Sequence, residues 1–201
     1  MYVPSEFRAV DPLAVIAEHP FAMLVALPSG HAAHVPLVLA MRDGEQVLIG
    51  HVARASPLAE VIEAGSELLA IFRGPHAYIS PFDYDPAGRD PGKQVPTWNY
   101  VASHVKGRPR VFDPTQAREA LAQLASRFDA RGWTDQVLPD GYREGLVRAI
   151  VAFELPLDDV IGKDKLGQNR TSTQRLAAAD ALERREDPTD RDVGRLMRQV
   201  R

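Results

Sequence analysis

The 201-residue chain contains no cysteine, and this absence limits the chemistry open to it. Disulfides, thiolate nucleophiles, iron–sulfur clusters and zinc sites with cysteine ligands are all excluded. The longest apolar runs, around Phe21–Leu27 and Val35–Met41, are far shorter than the ~20 residues of a membrane-spanning helix. The first residues have neither the basic start nor the apolar run of a signal peptide. We therefore expect a cytoplasmic protein that would have to borrow any redox chemistry from a bound cofactor.

An excess of positive charge is also missing, since 24 Lys and Arg face 27 Asp and Glu and the formal net charge is −3. Residues 1–100 carry six basic and eleven acidic side chains, whereas residues 101–201 carry eighteen and sixteen. Because DNA-binding domains present a basic surface, this composition gives no support to direct DNA binding. An anionic ligand is expected to bind in the second half of the chain. The six histidines form no HExxH motif or cluster, so no metal site is expected.

Short β-forming segments separated by turn signals dominate the pattern, which predicts a mainly β (α+β) fold. A doubly wound sheet would need a glycine-rich first turn and regular strand–helix alternation, and the sequence has neither. Aspartate or serine followed by proline, as in Asp11-Pro12, Ser56-Pro57 and Asp113-Pro114, predicts the start of a helix. An Asp43-Gly44 pair predicts a hairpin. The predicted strands are Phe21–Leu27, His34–Met41, Gln46–Val52, Leu68–Phe72, Ala77–Ile79, Val95–Phe112 (bent near Gly107) and Ile150–Leu157. Residues Phe82–Gln94 are predicted to form a surface loop and Gly162–Arg170 an irregular basic segment.

Two stretches in the first half have more polar character than a plain core requires. In residues 50–57 a strand runs into a helix N-terminus, where Arg54, Ser56 and free amides could hold a phosphate. The alternative is an ordinary helix cap beside a solvated arginine. In residues 74–81 the two-residue period of a strand puts His76, Tyr78 and Ser80 on one face.

Two further stretches lie later in the chain. In the strand predicted at 95–112, Trp98, Tyr100 and His104 share a face that could stack a planar ring, while Asn99 points to the other face. The alternative is an interface strand, since Trp and Tyr are common at interfaces. The segment 162–170 combines three cations and two amides, which suits an anion but also fits a solvated charge run.

Taken in order, these stretches resemble the PaiB-type family, described as FMN-binding negative transcriptional regulators. The resemblance rests on several blocks of this sequence, which are YVPSEF at 2–7, HVPL at 34–37, GHVARA at 50–55, GPHAYISP at 74–81, VPTWNY at 95–100 and GKDKLGQNR at 162–170. Ser56 stands where the family usually has Asn, and Gly167 replaces a common Ser.

The resemblance implies a split antiparallel β-barrel with peripheral helices, which we assign to residues 1–170. The residue pattern of 171–201 predicts a helical C-terminal extension, packed on the barrel or on a dimer partner, that breaks at Asp187-Pro188. The resemblance also implies FMN as the cofactor, with haem as a minor alternative, and a bacterial homodimer that shares two flavin sites. A negative regulator or flavin-linked sensor is expected, and a flavin-dependent oxidoreductase is the alternative. DNA is a partner only by resemblance. The expected cofactor-binding residues are Arg54, Ser56, Trp98, Asn99, Tyr100, His104, Lys165, Gln168, Asn169 and Arg170.

Overall fold

A computed structural model describes residues 1–27, 29–85, 94–132 and 134–200. Within these ranges nine strands form two antiparallel sheets, as the sequence predicts. The strands are β1 (Phe21–Ala26), β2 (Ala32–Pro36), β3 (Val38–Arg42), β4 (Glu45–Ala53), β5 (Leu68–Ile79), β6 (Thr97–Gly107), β7 (Arg110–Val111), β8 (Ile150–Pro156) and β9 (Asp159–Lys165). The helices are α1 (Pro12–Glu18), α2 (Pro57–Glu63), α3 (Pro81–Tyr84), α4 (Pro114–Phe128), α5 (Asp140–Arg148), α6 (Ser172–Glu183) and α7 (Pro188–Gln199).

The first sheet has the strand order β2-β1-β5-β6-β9, and the second has the order β3-β4-β8-β7. The single strand predicted at His34–Met41 is therefore wrong, because its two halves belong to different sheets. The chain leaves the first sheet at Pro36, which has no backbone N–H for further pairing. Leu37 then donates its amide to the Pro20 carbonyl at 2.8 Å, outside both sheets.

Two strand boundaries also differ from the prediction. The segments Leu68–Phe72 and Ala77–Ile79 form one continuous β5 that runs through Gly74-Pro75. Pro75 is tolerated because it lies beyond the stretch that β1 pairs with, where no ladder bond to β1 is needed. By contrast, the predicted strand over 95–112 stops at Gly107, where a Cβ atom would lie 2.8 Å from the Pro156 carbonyl oxygen.

The last predicted irregular segment is partly wrong as well, because β9 extends through Lys165. The predicted loop at Phe82–Gln94 begins with α3 instead, and its residues 86–93 lie outside the described residues. Two helices at the C-terminus, interrupted at Asp187-Pro188, agree with the prediction.

The predicted helix starts are confirmed. Leu13 donates its amide to Asp11 Oδ1 at 2.9 Å, and Leu58 donates to Ser56 Oγ at 3.3 Å. Asp113 accepts from the amides of Thr115 and Gln116, which satisfies two of the free donors at the start of α4. The Asp43-Gly44 hairpin is confirmed too, since both residues have positive φ angles of 51° and 82°.

The described chain divides into two compact units. One unit contains residues 1–15, 73–103 and 161–201, and the other contains residues 16–72 and 104–160. We call them the first and the second unit. The second unit has a core in which Ala120 and Leu124 of α4 pack on Val38, Val47 and Ile49. No helix among the described residues is both long and apolar enough to cross a bilayer.

Candidate functional site

In the first unit, aromatic rings from two neighbouring strands lie together on one sheet face. The Trp98 ring on β6 stacks on the His76 imidazole of β5, with centroids 6.0 Å apart and planes 26° apart. Tyr78, two residues further along β5, meets Trp98 edge-on at 6.1 Å. Trp98 is 52% exposed and Tyr78 44% exposed, so this face is open.

Two lysines continue this face on β9, the strand beside β6. The Lys163 ammonium lies 5.5 Å from the centroid of the Tyr100 ring and donates to the Tyr2 carbonyl at 3.2 Å. Lys165 donates to Thr97 Oγ1. Burial and the neighbouring charges of Lys163 and Arg170 lower the pKa of Lys165. We call this set the aromatic–lysine face, and it consists of His76, Tyr78, Trp98, Tyr100, Lys163 and Lys165.

The other face of β6 is closed. Asn99 is 1% exposed and donates its amide to Met197 Sδ of α7 at 3.4 Å. Ser103 is fully buried and donates to the Pro12 carbonyl at 2.6 Å. Because successive side chains of a strand point to opposite faces, Asn99 does not lie beside the Trp98 and Tyr100 rings. Its contact with α7 anchors the strand that carries those rings.

The loop after β9 adds one more cation. Gln168 is used to hold this loop, because its side chain accepts from the Leu166 amide at 2.8 Å and donates to the Asp164 carbonyl at 2.6 Å. Arg170 lies 4.8 Å from the Tyr84 ring centroid and donates to Gln94 Oε1 at 2.7 Å. Asn169 is exposed between them. Within the described part of the chain, Lys163, Lys165 and Arg170 form no ion pair with a carboxylate.

Arg54 and Ser56 lie in the second unit. The Arg54 guanidinium donates to Glu63 Oε1 at 2.6 Å and to the carbonyls of Arg148 and Ile150 at 2.9 and 2.7 Å. A guanidinium has five N–H donors, so these protein acceptors take three of them. Ser56 caps α2, a helix of only seven residues. The capping role expected of Ser56 is thus confirmed, while phosphate binding by either residue stays a prediction.

The predicted His104 lies on β6 in the second unit, where it is half-buried and burial lowers its pKa. Three members of the aromatic–lysine face, His76, Tyr78 and Lys163, are absent from the predicted set of cofactor-binding residues. The sequence signal for these three residues is the alternation of side chains along β5 and β9. This alternation puts them on the same face as Trp98 only if β5 and β9 both lie beside β6. That adjacency is decided by the fold.

By its fold, the chain falls in the class of split-barrel proteins that has flavin-binding members. Residues 1–159 match the family described as "Putative FMN-binding domain". The chain belongs to this family, and FMN is the cofactor that membership assigns to it. The segment with Lys163, Lys165, Arg170 and α6–α7 follows the matched residues.

Three similar proteins illustrate the range of this class. "Protease synthase and sporulation protein PAI 2" of Bacillus subtilis (strain 168) is 28% identical over 207 residues, which cover 98% of this chain and 96% of that protein. A fungal relative, "Uncharacterized protein AN0679" of Emericella nidulans, is 28% identical over 176 residues, or 70% of each chain. The structure of the FAD and heme binding protein from Mycobacterium smegmatis is similar with a TM-score of 0.56, at 18% identity over 82% of this chain and 74% of that one.

The residues of the aromatic–lysine face fit a flavin. Its rings are exposed enough to stack a planar heterocycle, and its two lysines can face an anion without displacing a carboxylate. Nδ1 of His76 and Nε of Arg170 are buried and have no hydrogen-bond partner among the described residues. Buried polar atoms are nearly always hydrogen-bonded in native proteins, so both atoms suit a bound polar ligand.

Proposed function

We propose that this protein is an FMN-binding, flavin-linked sensor that acts as a negative transcriptional regulator. The aromatic–lysine face is the observation that carries the proposal, because it combines a planar stacking surface with two lysines that pair with no carboxylate of the described residues. The regulatory part is supported by the similarity to PAI 2, whose name refers to protease synthesis and sporulation.

Each residue of the site has a defined task in this proposal. Trp98 and Tyr100 provide the stacking surface, and Lys163 and Lys165 face the anionic groups of the cofactor. Bound FMN supplies reversible electron transfer, which is chemistry that a chain without cysteine lacks. Gln168 fixes the loop that carries Asn169 and Arg170. Asn99 holds β6 in place through α7.

For the phosphate, we keep Arg54 and Ser56 as candidate ligands. Two N–H donors of Arg54 have no acceptor within the described ranges, and its side chain is 52% exposed. Arg54 also lines a cleft of about 430 Å³ with Arg148. These features leave room for a charge-assisted contact.

We also propose that the protein works as a homodimer in which both copies contribute to each flavin site. The support is a group of exposed aromatic side chains in the first unit, Tyr78, Trp98 and Phe82, with Phe82 being 65% exposed. Exposed aromatic residues of this kind are enriched at protein interfaces.

A flavin titration of the Trp98→Leu variant tests the site. We expect its dissociation constant for FMN to rise about tenfold, because a ring–ring contact contributes roughly 0.5–1.5 kcal/mol beyond area burial. Tyr142→Leu, which removes an exposed ring on α5, should leave the affinity unchanged. Equal affinities for the wild type and the Trp98 variant would remove the stacking surface from the site.

Three measurements separate the proposed sensor from its alternatives. Anaerobic NAD(P)H added to the FMN-loaded protein should bleach the flavin no faster than free FMN, whereas faster bleaching would indicate an oxidoreductase. Haem is the alternative cofactor, for which the His76 imidazole would be a candidate iron ligand, since its Nδ1 has no hydrogen-bond partner among the described residues. A Soret band instead of flavin bands, after incubation with both cofactors, would identify haem. A tight mobility shift at physiological salt would show that regulation involves direct DNA contact.

A further inference from the structure

A large cavity in the second unit lies between α4, α5 and the sheet strands β4 and β8. Its volume is about 1090 Å³, slightly above the range of about 300–1,000 Å³ that is typical of small-molecule sites. It shares no residue with the aromatic–lysine face. Most lining side chains are apolar, and they include Leu121, Leu124, Phe128, Leu146, Val147 and Ile150.

The apolar side chains of α4 line this cavity instead of filling it. Ala120 and Leu124 pack on the sheet at one part of the helix. One helical turn further on, Phe128 remains 52% exposed although it lines the cavity. An apolar ligand would gain free energy here by removing such side chains from water.

One lining residue carries a buried polar atom that accepts no hydrogen bond from, and donates none to, the described residues. His51 on β4 lines the cavity, and its Nδ1 is buried without a hydrogen-bond partner among the described residues. Burial lowers the pKa of His51, so the neutral imidazole is favoured and can form a hydrogen bond with a ligand. An unsatisfied buried nitrogen costs free energy, which a ligand oxygen or N–H group would recover.

The described charges around the cavity favour an anion. Three arginines line it, Arg118, Arg131 and Arg143, and Asp129 is the carboxylate among the described lining residues. Asp129 pairs with Arg131 at 3.4 Å, and Arg143 donates to the Leu138 carbonyl at 3.0 Å. Arg118 is exposed and has no ion pair within the described ranges. Arg118 therefore leaves a positive charge at the cavity that no described carboxylate pairs with, in a protein whose net charge is −3.

From these observations we infer that the cavity is a binding site for an apolar organic anion, a carboxylate with an alkyl or aromatic body. The apolar lining takes the body, Arg118 faces the carboxylate, and His51 forms the inner hydrogen bond. The ligand would be an effector or substrate in addition to the flavin.

Calorimetric titration of the full-length, FMN-saturated protein with decanoate tests this inference. We expect one site per chain and an affinity about tenfold higher than for decylammonium, which has the same body and the opposite charge. Decanoate and 1-naphthoate together distinguish an alkyl from an aromatic preference. Equal binding of decanoate and decylammonium, no saturable binding, or release of FMN in step with decanoate uptake would each overturn the inference.

Two pairs of variants, each with a matched control, locate the site. Because the pairs are independent, the test still works if one variant fails to fold. Arg118→Gln should reduce the preference for the anion at least about threefold, whereas Arg73→Gln, with the same charge change on β5, should not. Ala125→Phe should block decanoate binding by filling the cavity. Gln123→Phe adds the same ring to the same helix, but Gln123 lines a different cleft, so binding should persist. Unchanged decanoate binding in a folded Ala125→Phe variant would place the site elsewhere.

Discussion

Arg54 and Lys165 are both cations expected from the sequence to face the cofactor, yet their surroundings differ. Arg54 donates to one carboxylate and two backbone carbonyls and so joins α2, the end of α5 and β8. Lys165 donates to a hydroxyl, and burial together with Lys163 and Arg170 lowers its pKa. Arg54 thus already has a carboxylate and two carbonyl dipoles as partners, whereas Lys165 lies near other positive charges.

This difference teaches that a cation in a motif can contact a ligand only through the donors that the fold leaves without other acceptors. A guanidinium bound to carbonyls mainly stabilises the chain that it joins. An ammonium among other cations is destabilised until an anion arrives, because like charges repel at short range. We therefore expect mutations at Arg54 to act chiefly on folding and mutations at Lys165 chiefly on FMN affinity.

The largest expected effect is on stability. Arg54→Met keeps most of the side-chain volume and removes the three hydrogen bonds, so the free energy of unfolding should fall by about 2 kcal/mol, discounted for the exposure of the Glu63 pair. Urea denaturation measures this change. Arg73→Met, an exposed arginine on β5, should change stability by less than about 0.5 kcal/mol. If both variants were equally stable, the contrast with Lys165 would disappear.

The second effect is on binding. Lys165→Met should raise the dissociation constant for FMN about tenfold, or ~1.4 kcal/mol, with little change in urea stability, because a charge-assisted contact is lost. Flavin fluorescence titration measures the affinity. Arg195→Met removes one positive charge from α7, where Arg195 pairs with Asp192, and serves as the control for net charge. A Lys165 variant that loses stability but binds FMN normally would reverse the comparison.

The smallest expected effect is the pH dependence of FMN affinity, which tests the role of the Lys165 charge. Because the pKa of Lys165 is lowered, its ammonium loses its proton below the ordinary lysine value of 10.5. FMN affinity should thus fall about two- to threefold as pH rises through that lowered pKa. Lys165→Arg keeps its charge throughout this range, so its titration curve should stay flat there. The folded chain binds this proton less tightly than the unfolded chain does, so the contribution of Lys165 to stability rises over the same window. If FMN affinity declined with pH equally in the wild type and in Lys165→Arg, the pH effect would belong to another group.

Local signals predicted the parts of the fold that depend on neighbouring residues. Asp113 followed by Pro114 predicted the start of α4, which the structure confirms. The strand predicted at His34–Met41 failed because β-propensity is alike on both sides of Pro36, and sheet membership depends on distant partners. β9 was missed for a related reason: its charged residues suggest a loop unless a neighbouring strand pairs with them.

For the candidate site, the alternation along β6 correctly separated Trp98 and Tyr100 from Asn99. It could not tell which face would be open. That choice was made by α7, which covers Asn99, and by the Pro12 carbonyl, which binds Ser103. The apolar cavity of the second unit was not predicted, since α4 has an ordinary amphipathic pattern and the gap arises from how α4, α5 and the sheet pack.

The sequence by itself determined the helix caps and the motif blocks that identify an FMN-binding family, because these follow from short-range order. Only the tertiary structure decided which cations keep donors available for a ligand and which rings stay exposed. The physical reason is that hydrogen-bond partners and burial come from residues far apart in the chain, as Arg54 and Ile150 show in one unit and Asn99 and Met197 in the other.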